Sequence, residues 1–189
     1  MKPNYRQETE AIEAAGKLWA KSMLESALRG TLAEVSGRAF QFKDGDYQVV
    51  DYETGVSRSL ELKCRGAGSW YPDKPILFER WHDENKWPGW AMTSKASLLA
   101  YAWEDIRGIL VLDAQAALSW YVNELKKITR GKRQRFYRNR PRMNDRQPNQ
   151  TVYDCVALED VRTFIIAEDL GLAKPSPKVE VLSPQPSLF

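Results

Sequence analysis

The sequence predicts an α/β domain in which a central mixed β-sheet is flanked by helices. Three observations predict it. Short apolar segments bounded by Gly, Asp or Ser alternate along the chain with stretches whose apolar residues recur at helical spacing. Two of those helical stretches are long enough to cover a sheet face. A length of 189 residues with 43% hydrophobic content suits one domain able to bury a real core.

Taken in order, Glu8 to Arg29 carries Ile12, Ala15, Leu18, Trp19, Met23 and Ala27 at helical spacing, and Gly30 is a natural stop. Leu32 to Val35 and Arg38 to Phe42 read as short extended segments. Tyr47 to Tyr52 and Arg58 to Cys64 read as the two strands of a hairpin. Ile76 to Trp81 is a further strand, Ser94 to Tyr101 a helix, Gly108 to Leu112 a buried strand and Ala114 to Lys127 the second long helix. A strand near Thr151 to Val156 leads into a helix from Leu158 to Asp169. The folded domain is assigned to residues 1–172. Residues 173–189, rich in Pro and Ser, are expected to form a flexible tail.

Composition removes several classes of chemistry. No apolar run is long enough for a bilayer, and the N-terminus lacks an apolar signal core. The two cysteines, Cys64 and Cys155, are too far apart for a disulfide framework or a zinc knuckle, which points to the reducing cytoplasm. His82 is the single histidine, so mechanisms that need paired histidines lack the residues, and carboxylates and lysine must do any chemistry. The net charge of +3 is mild, but Lys126 to Arg146 holds ten Lys or Arg residues against Asp145 alone. Within it Phe136 and Tyr137 are interleaved with Lys126, Lys127, Arg130, Lys132, Arg133, Arg135, Arg138 and Arg140. Ionic and stacking groups in one segment suit a phosphate backbone and unpaired bases, against the plainer reading of a solvated loop.

The hairpin carries the candidate chemistry. With Glu53-Thr54 as its loop, Asp46 lies opposite Glu61; with Thr54-Gly55, Asp46 lies opposite Lys63. In both registers strand alternation puts Asp46, Glu61 and Lys63 on one face, leaving Leu60, Leu62 and Cys64 to pack beneath a helix. Two nearby carboxylates repel unless a divalent cation lies between them, and a hard oxygen site favours Mg2+ or Mn2+. The lysine then holds or polarises an attacking water and offsets charge on a phosphate.

Gly45-Asp46 followed by Leu60-Glu61-Leu62-Lys63-Cys64-Arg65 resembles the D…ExK signature of the PD-(D/E)xK nucleases, with a hairpin spacing similar to that of archaeal Holliday-junction resolvases. The stretch Gly89-Trp90-Ala91-Met92-Thr93-Ser94-Lys95-Ala96 with Tyr101 resembles a group of small phage and bacterial nuclease-like proteins. The likeness covers roughly residues 8 to 160, and glycine replaces the proline before Asp46. It implies a restriction-endonuclease-like sheet and Mg2+-dependent hydrolysis of DNA. Asp46, Glu61 and the Leu62 carbonyl would be metal ligands, assisted by a first-helix glutamate, Glu13 or else Glu10. Glu79 and Lys95 would extend the site, unless each is simply structural. Pairing of two copies, as in junction resolvases, is implied in the same way.

Rival assignments are weaker. Pro72-Asp73 with Glu84-Asn85-Lys86 fits the literal pattern, but Glu84 lies in a polar, turn-like run. Asp51 falls on the face away from Glu61, near the turn. An isolated Glu61–Lys63 pair is ordinarily a surface ion pair. Trp81, Trp87 and Trp90 read as core or rim packing, and His82 as structural. The terminus Gln185-Pro186-Ser187-Leu188-Phe189 resembles a bacterial sliding-clamp-binding peptide, which implies docking through Gln185, Leu188 and Phe189. Another class of function fits the same residues: a binding protein, such as a phage accessory factor, that keeps the nuclease fold and grips DNA or a host enzyme.

Overall fold

The structure, a computed structural model, describes residues 5–36, 45–65, 76–82, 87–129, 137–139 and 152–170, without the side chains of 5–13, 82, 128–129, 137–139 and 152. A 24-residue helix, α1 (Tyr5–Leu28), opens the chain and is followed by strands β1 (Gly30–Glu34), β2 (Tyr47–Asp51) and β3 (Ser57–Arg65). Then come β4 (Ile76–His82), β5 (Trp87–Pro88), a short helix α2 (Trp90–Thr93), β6 (Leu98–Trp103), β7 (Gly108–Asp113) and α3 (Ala114–Thr129). The rest comprises β8 (Tyr137–Asn139), β9 (Val152–Val156), α4 (Leu158–Val161) running into a 3-10 turn Arg162–Phe164, and β10 (Ile165–Asp169).

Among the described residues these strands form two sheets. The larger has the order β1-β2-β3-β6-β7-β10 and is mixed, because β3 and β6 run parallel while its other neighbours are antiparallel. The smaller has the order β5-β4-β9-β8. Alternation along β6 and β7 divides the core between the faces of the larger sheet. Leu98, Ala100, Ala102, Ile109 and Val111 join Ala20, Leu24 and Leu28 of α1 on one face. Leu99, Tyr101, Trp103, Leu110 and Leu112 join Ala117, Leu118 and Tyr121 of α3 and Phe78 of β4 on the other. Full burial of a side chain such as Leu24 contributes about 1.5–3 kcal/mol, so α1 and the α3 layer are both held by apolar area.

Two of the expected helices are different elements. Ser94 to Tyr101 contains no helix: residues 94–97 connect α2 to β6, and Leu98–Trp103 is a central strand buried at every position. A strand covered on both faces loses the period-two signal, so its unbroken apolar run reads equally well as a helix. Leu158 to Asp169 is helical only through its first half. Ile165–Asp169 is an edge strand antiparallel to β7, since pairing there satisfies the backbone groups of the β7 edge that a helix would leave open. The expected segment Arg38 to Phe42 and the expected tail 173–189 lie outside the described residues.

The smaller sheet encloses a charge. Asp154 on β9 is 0% exposed and accepts from Arg80 Nε of β4 at 2.7 Å and from the Tyr121 hydroxyl of α3 at 2.5 Å. Burial, followed by the bond to Asp154, pushes the Tyr121 hydroxyl well above the usual phenol range. Removing one member of a buried ion pair strands the other, so Asp154→Ala is expected to destabilise the fold by about 3–5 kcal/mol in urea unfolding.

Candidate active site

β2 and β3 pair as Tyr47↔Leu60, Gln48↔Ser59, Val49↔Arg58 and Val50↔Ser57. That is the ladder register of the first arrangement the sequence allows, but the pairing ends at Tyr47↔Leu60, and Asp46 lies one residue before it with its N–H turned to the Leu60 carbonyl. The connection between the strands is longer than two residues because Asp51 builds a turn of its own. Its Oδ1 accepts from Thr54 N at 2.8 Å, Thr54 Oγ1 at 2.9 Å and Glu53 N at 3.0 Å, and the Thr54 bonds hold its carboxyl below the usual range. Asp51 is therefore a turn residue. Tyr47, Val49, Leu60 and Leu62 are buried toward α1.

Asp46 is positioned by its backbone before its side chain acts. Its N–H donates to Leu60 O at 2.8 Å and its carbonyl accepts from Val35 N at 2.9 Å, which fixes it between β1 and β3. Gly45 reaches this point with φ of +78°, and a Cβ there would lie 2.5 Å from Leu60 O. Proline, locked near −65°, cannot take that conformation, so glycine at position 45 is a requirement of this ribbon. The Asp46 carboxylate then accepts from Leu62 N at 2.9 Å through Oδ2 and from Lys17 Nζ of α1 at 3.3 Å through Oδ1. A strand residue's N–H and C=O point to the same edge. The Leu62 carbonyl therefore faces the edge at which the Asp46 carboxylate sits.

Glu61 and Lys63 flank Leu62 and form an ion pair, with side chains only 15% and 25% exposed. The Lys63 ammonium also lies 5.1 Å from the centroid of the Trp90 ring. Trp90 is placed by Gly89, which approaches β4 so closely that a Cβ would meet Glu79 O at 2.3 Å. The ring contacts Phe78 at 5.9 Å, and Phe78 stacks on Tyr121 at 4.6 Å, so the support under Lys63 continues into the core. Glu79 thus adjoins the turn that carries Trp90. Trp90 packs as expected and in addition contacts the charged site, whereas Trp87 on β5 is 65% exposed.

Other expected site residues are placed less centrally. Lys95 is exposed in the connection before β6 rather than at a helix start, level with the beginning of β3, where Ser97 N donates to Ser59 O at 3.0 Å. Lys126 and Lys127 are exposed at the end of α3, and Lys127 pairs with Glu124. Tyr137 and Arg138 form part of β8, opposite Cys155 and Asp154 of β9, so this piece of the basic segment is an edge strand. Their side chains lie outside the described residues, as do the side chains of Glu10 and Glu13 and residues Arg130, Lys132, Arg133, Arg135, Phe136, Arg140, Gln185, Leu188 and Phe189. The rival acids Asp73 and Glu84 lie outside them too. Lys17 and Arg65 are site neighbours that sequence reasoning missed. Lys17 carried a faint signal, since it stands one helical turn after Glu13.

Comparison with protein-family models, with curated proteins and with solved structures finds no match for this chain. The candidate donors on the ribbon are oxygens: the carboxylates of Asp46 and Glu61 and the Leu62 carbonyl. Among the described residues no three His, Cys, Asp or Glu side chains come together. Mg2+ needs no such trio, because it ordinarily takes one or two carboxylates and keeps several waters. The donor set fits that ion and poorly fits a softer one. If Trp90 seats Lys63, Trp90→Leu should remove the ring-current shift of the Lys63 ε-methylene protons in NMR spectra and leave them near unstructured-lysine values.

Proposed function

We propose that the chain is a metal-dependent nuclease that hydrolyses DNA phosphodiester bonds at the β2–β3 ribbon, in a restriction-endonuclease-like fold. The observation that carries this reading is the Leu62 N–H bond to Asp46 at 2.9 Å. It ties one carboxylate to the residue that lies between the other carboxylate, Glu61, and the lysine. Asp46, Glu61 and the Leu62 carbonyl would hold Mg2+ or Mn2+. The bound ion supplies charge neutralisation at a scissile phosphate and a more acidic water.

The chain's own residues account for the remaining work. Lys63, held between Glu61 and the Trp90 face, presents its N–H donors to the attacking water or to a phosphate oxygen. Lys17 neutralises Asp46 when no other cation does. The basic stretch from Lys126 to Arg146, with Lys126 and Lys127 exposed where it begins, grips the sugar–phosphate backbone. No described helix is long and apolar enough to cross a membrane.

Supercoiled, single-stranded and four-way-junction DNA, each incubated with Mg2+, test the reading. Wild type is expected to cut at least one of them, and Glu61→Ala to lose cutting while retaining affinity. Equal cleavage by the two proteins would remove Glu61 from the chemistry, and binding without cleavage by wild type would favour an accessory DNA-binding role. Arg133→Ala combined with Arg135→Ala should weaken DNA binding across sequences and lower its salt slope by about two, one per lost phosphate contact, in anisotropy titrations.

A further inference from the structure

β3 carries a second cation on the face of Glu61 and Lys63. Arg65 follows Lys63 by two positions, and its guanidinium lies over the Tyr153 ring of β9 at 5.6 Å, much as Lys63 lies over Trp90. The two cations differ in their partners. Lys63 has Glu61 beside it. Among the described residues no carboxylate pairs with Arg65, and its buried Nε has no hydrogen-bond partner.

An arginine carries its charge at every working pH, and a partly buried guanidinium with an unsatisfied donor is costly unless an anion completes it. Stacking on an aromatic ring uses the face of the guanidinium and, with Nε buried, leaves the two terminal Nη groups as the fork for two oxygens of one anion. Tetrahedral phosphate oxygens match that fork. Two residues of strand advance about 6.6 Å, a step comparable to the repeat between successive phosphates of a nucleic-acid strand. Burial pushes the hydroxyl of Tyr101, the partner of Lys63 across β3 and β6, upward, and the positive charge of Arg65 opposes that shift.

We propose that Arg65 binds a backbone phosphate of the substrate, adjoining the phosphate that Asp46, Glu61 and Lys63 would address. Which phosphate is attacked rests on the nuclease reading; the anion seat on Tyr153 does not.

The test uses the full chain and labelled single-stranded and duplex DNA, with EDTA present so that no cleavage intervenes. Arg65→Gln is expected to weaken binding about tenfold and to lower the salt slope by about one. Arg65→Lys keeps the charge but not the fork, so it should restore the slope and only part of the affinity. Unchanged affinity and slope in Arg65→Gln, with wild-type thermal unfolding, overturn the proposal. If Arg65→Gln does not fold, full wild-type affinity in Arg65→Lys overturns it instead. Loss of inorganic phosphate binding, read as 31P line width, without loss of DNA binding reassigns Arg65 to a free anion and also overturns it. A wild type that never cleaves with Mg2+ removes the nuclease reading but leaves the Arg65 result standing. A wild type that cleaves while Arg65→Gln binds normally does the reverse.

Discussion

The arrangement depends on β3 being an interior strand whose two edges are used differently. Ser59 and Arg65 turn their carbonyls toward the β6 side, accepting from Ser97 N and Glu104 N. Leu60 turns its carbonyl toward the β2 side, accepting from Asp46 N. β2 begins with Tyr47 opposite Leu60, so Leu62 stands beyond the regular ladder, and its N–H is taken by a side chain rather than by a strand carbonyl. An aspartate that replaces a ladder acceptor is anchored by backbone geometry, which makes its position far less adjustable than that of a surface carboxylate.

Electrostatic compensation is local and divided. Asp46 is paired with a lysine from α1, and Glu61 with a lysine from its own strand, so each acid sits beside its own positive charge. These pairs are only partly exposed, and solvent weakens them less than it would on an open surface. The ring of Trp90 gives Lys63 a second attraction that does not depend on Glu61, so the ammonium keeps a seat if the carboxylate turns toward a different cation.

The second sheet acts as a support for that face. β4 and β9 bring Phe78 and the buried Arg80–Asp154 pair against the layer shared with α3. The close approach of Gly89 to Glu79 then delivers Trp90 beneath Lys63. Packing and electrostatics are therefore linked, because the residues that hold the cations also close one side of the core.

Several features were legible in the chain itself. Helix α1, the β2–β3 ribbon and α3 follow from spacing within a dozen or so neighbours, and the alternation that separates Glu61 and Lys63 from Leu60 and Leu62 is a property of any extended strand. β6 and β10 carry a helix-like local pattern, because one is apolar on both faces and the other becomes a strand only by pairing with β7. The sequence by itself determined which side chains share a face of one ribbon, since that is fixed by covalent geometry over a few residues. Only the tertiary structure decided that Lys17 meets Asp46, that Trp90 lies under Lys63 and that Tyr153 lies under Arg65. Those contacts join residues far apart in the chain, and the apolar packing that closes the intervening loops leaves no local pattern to read.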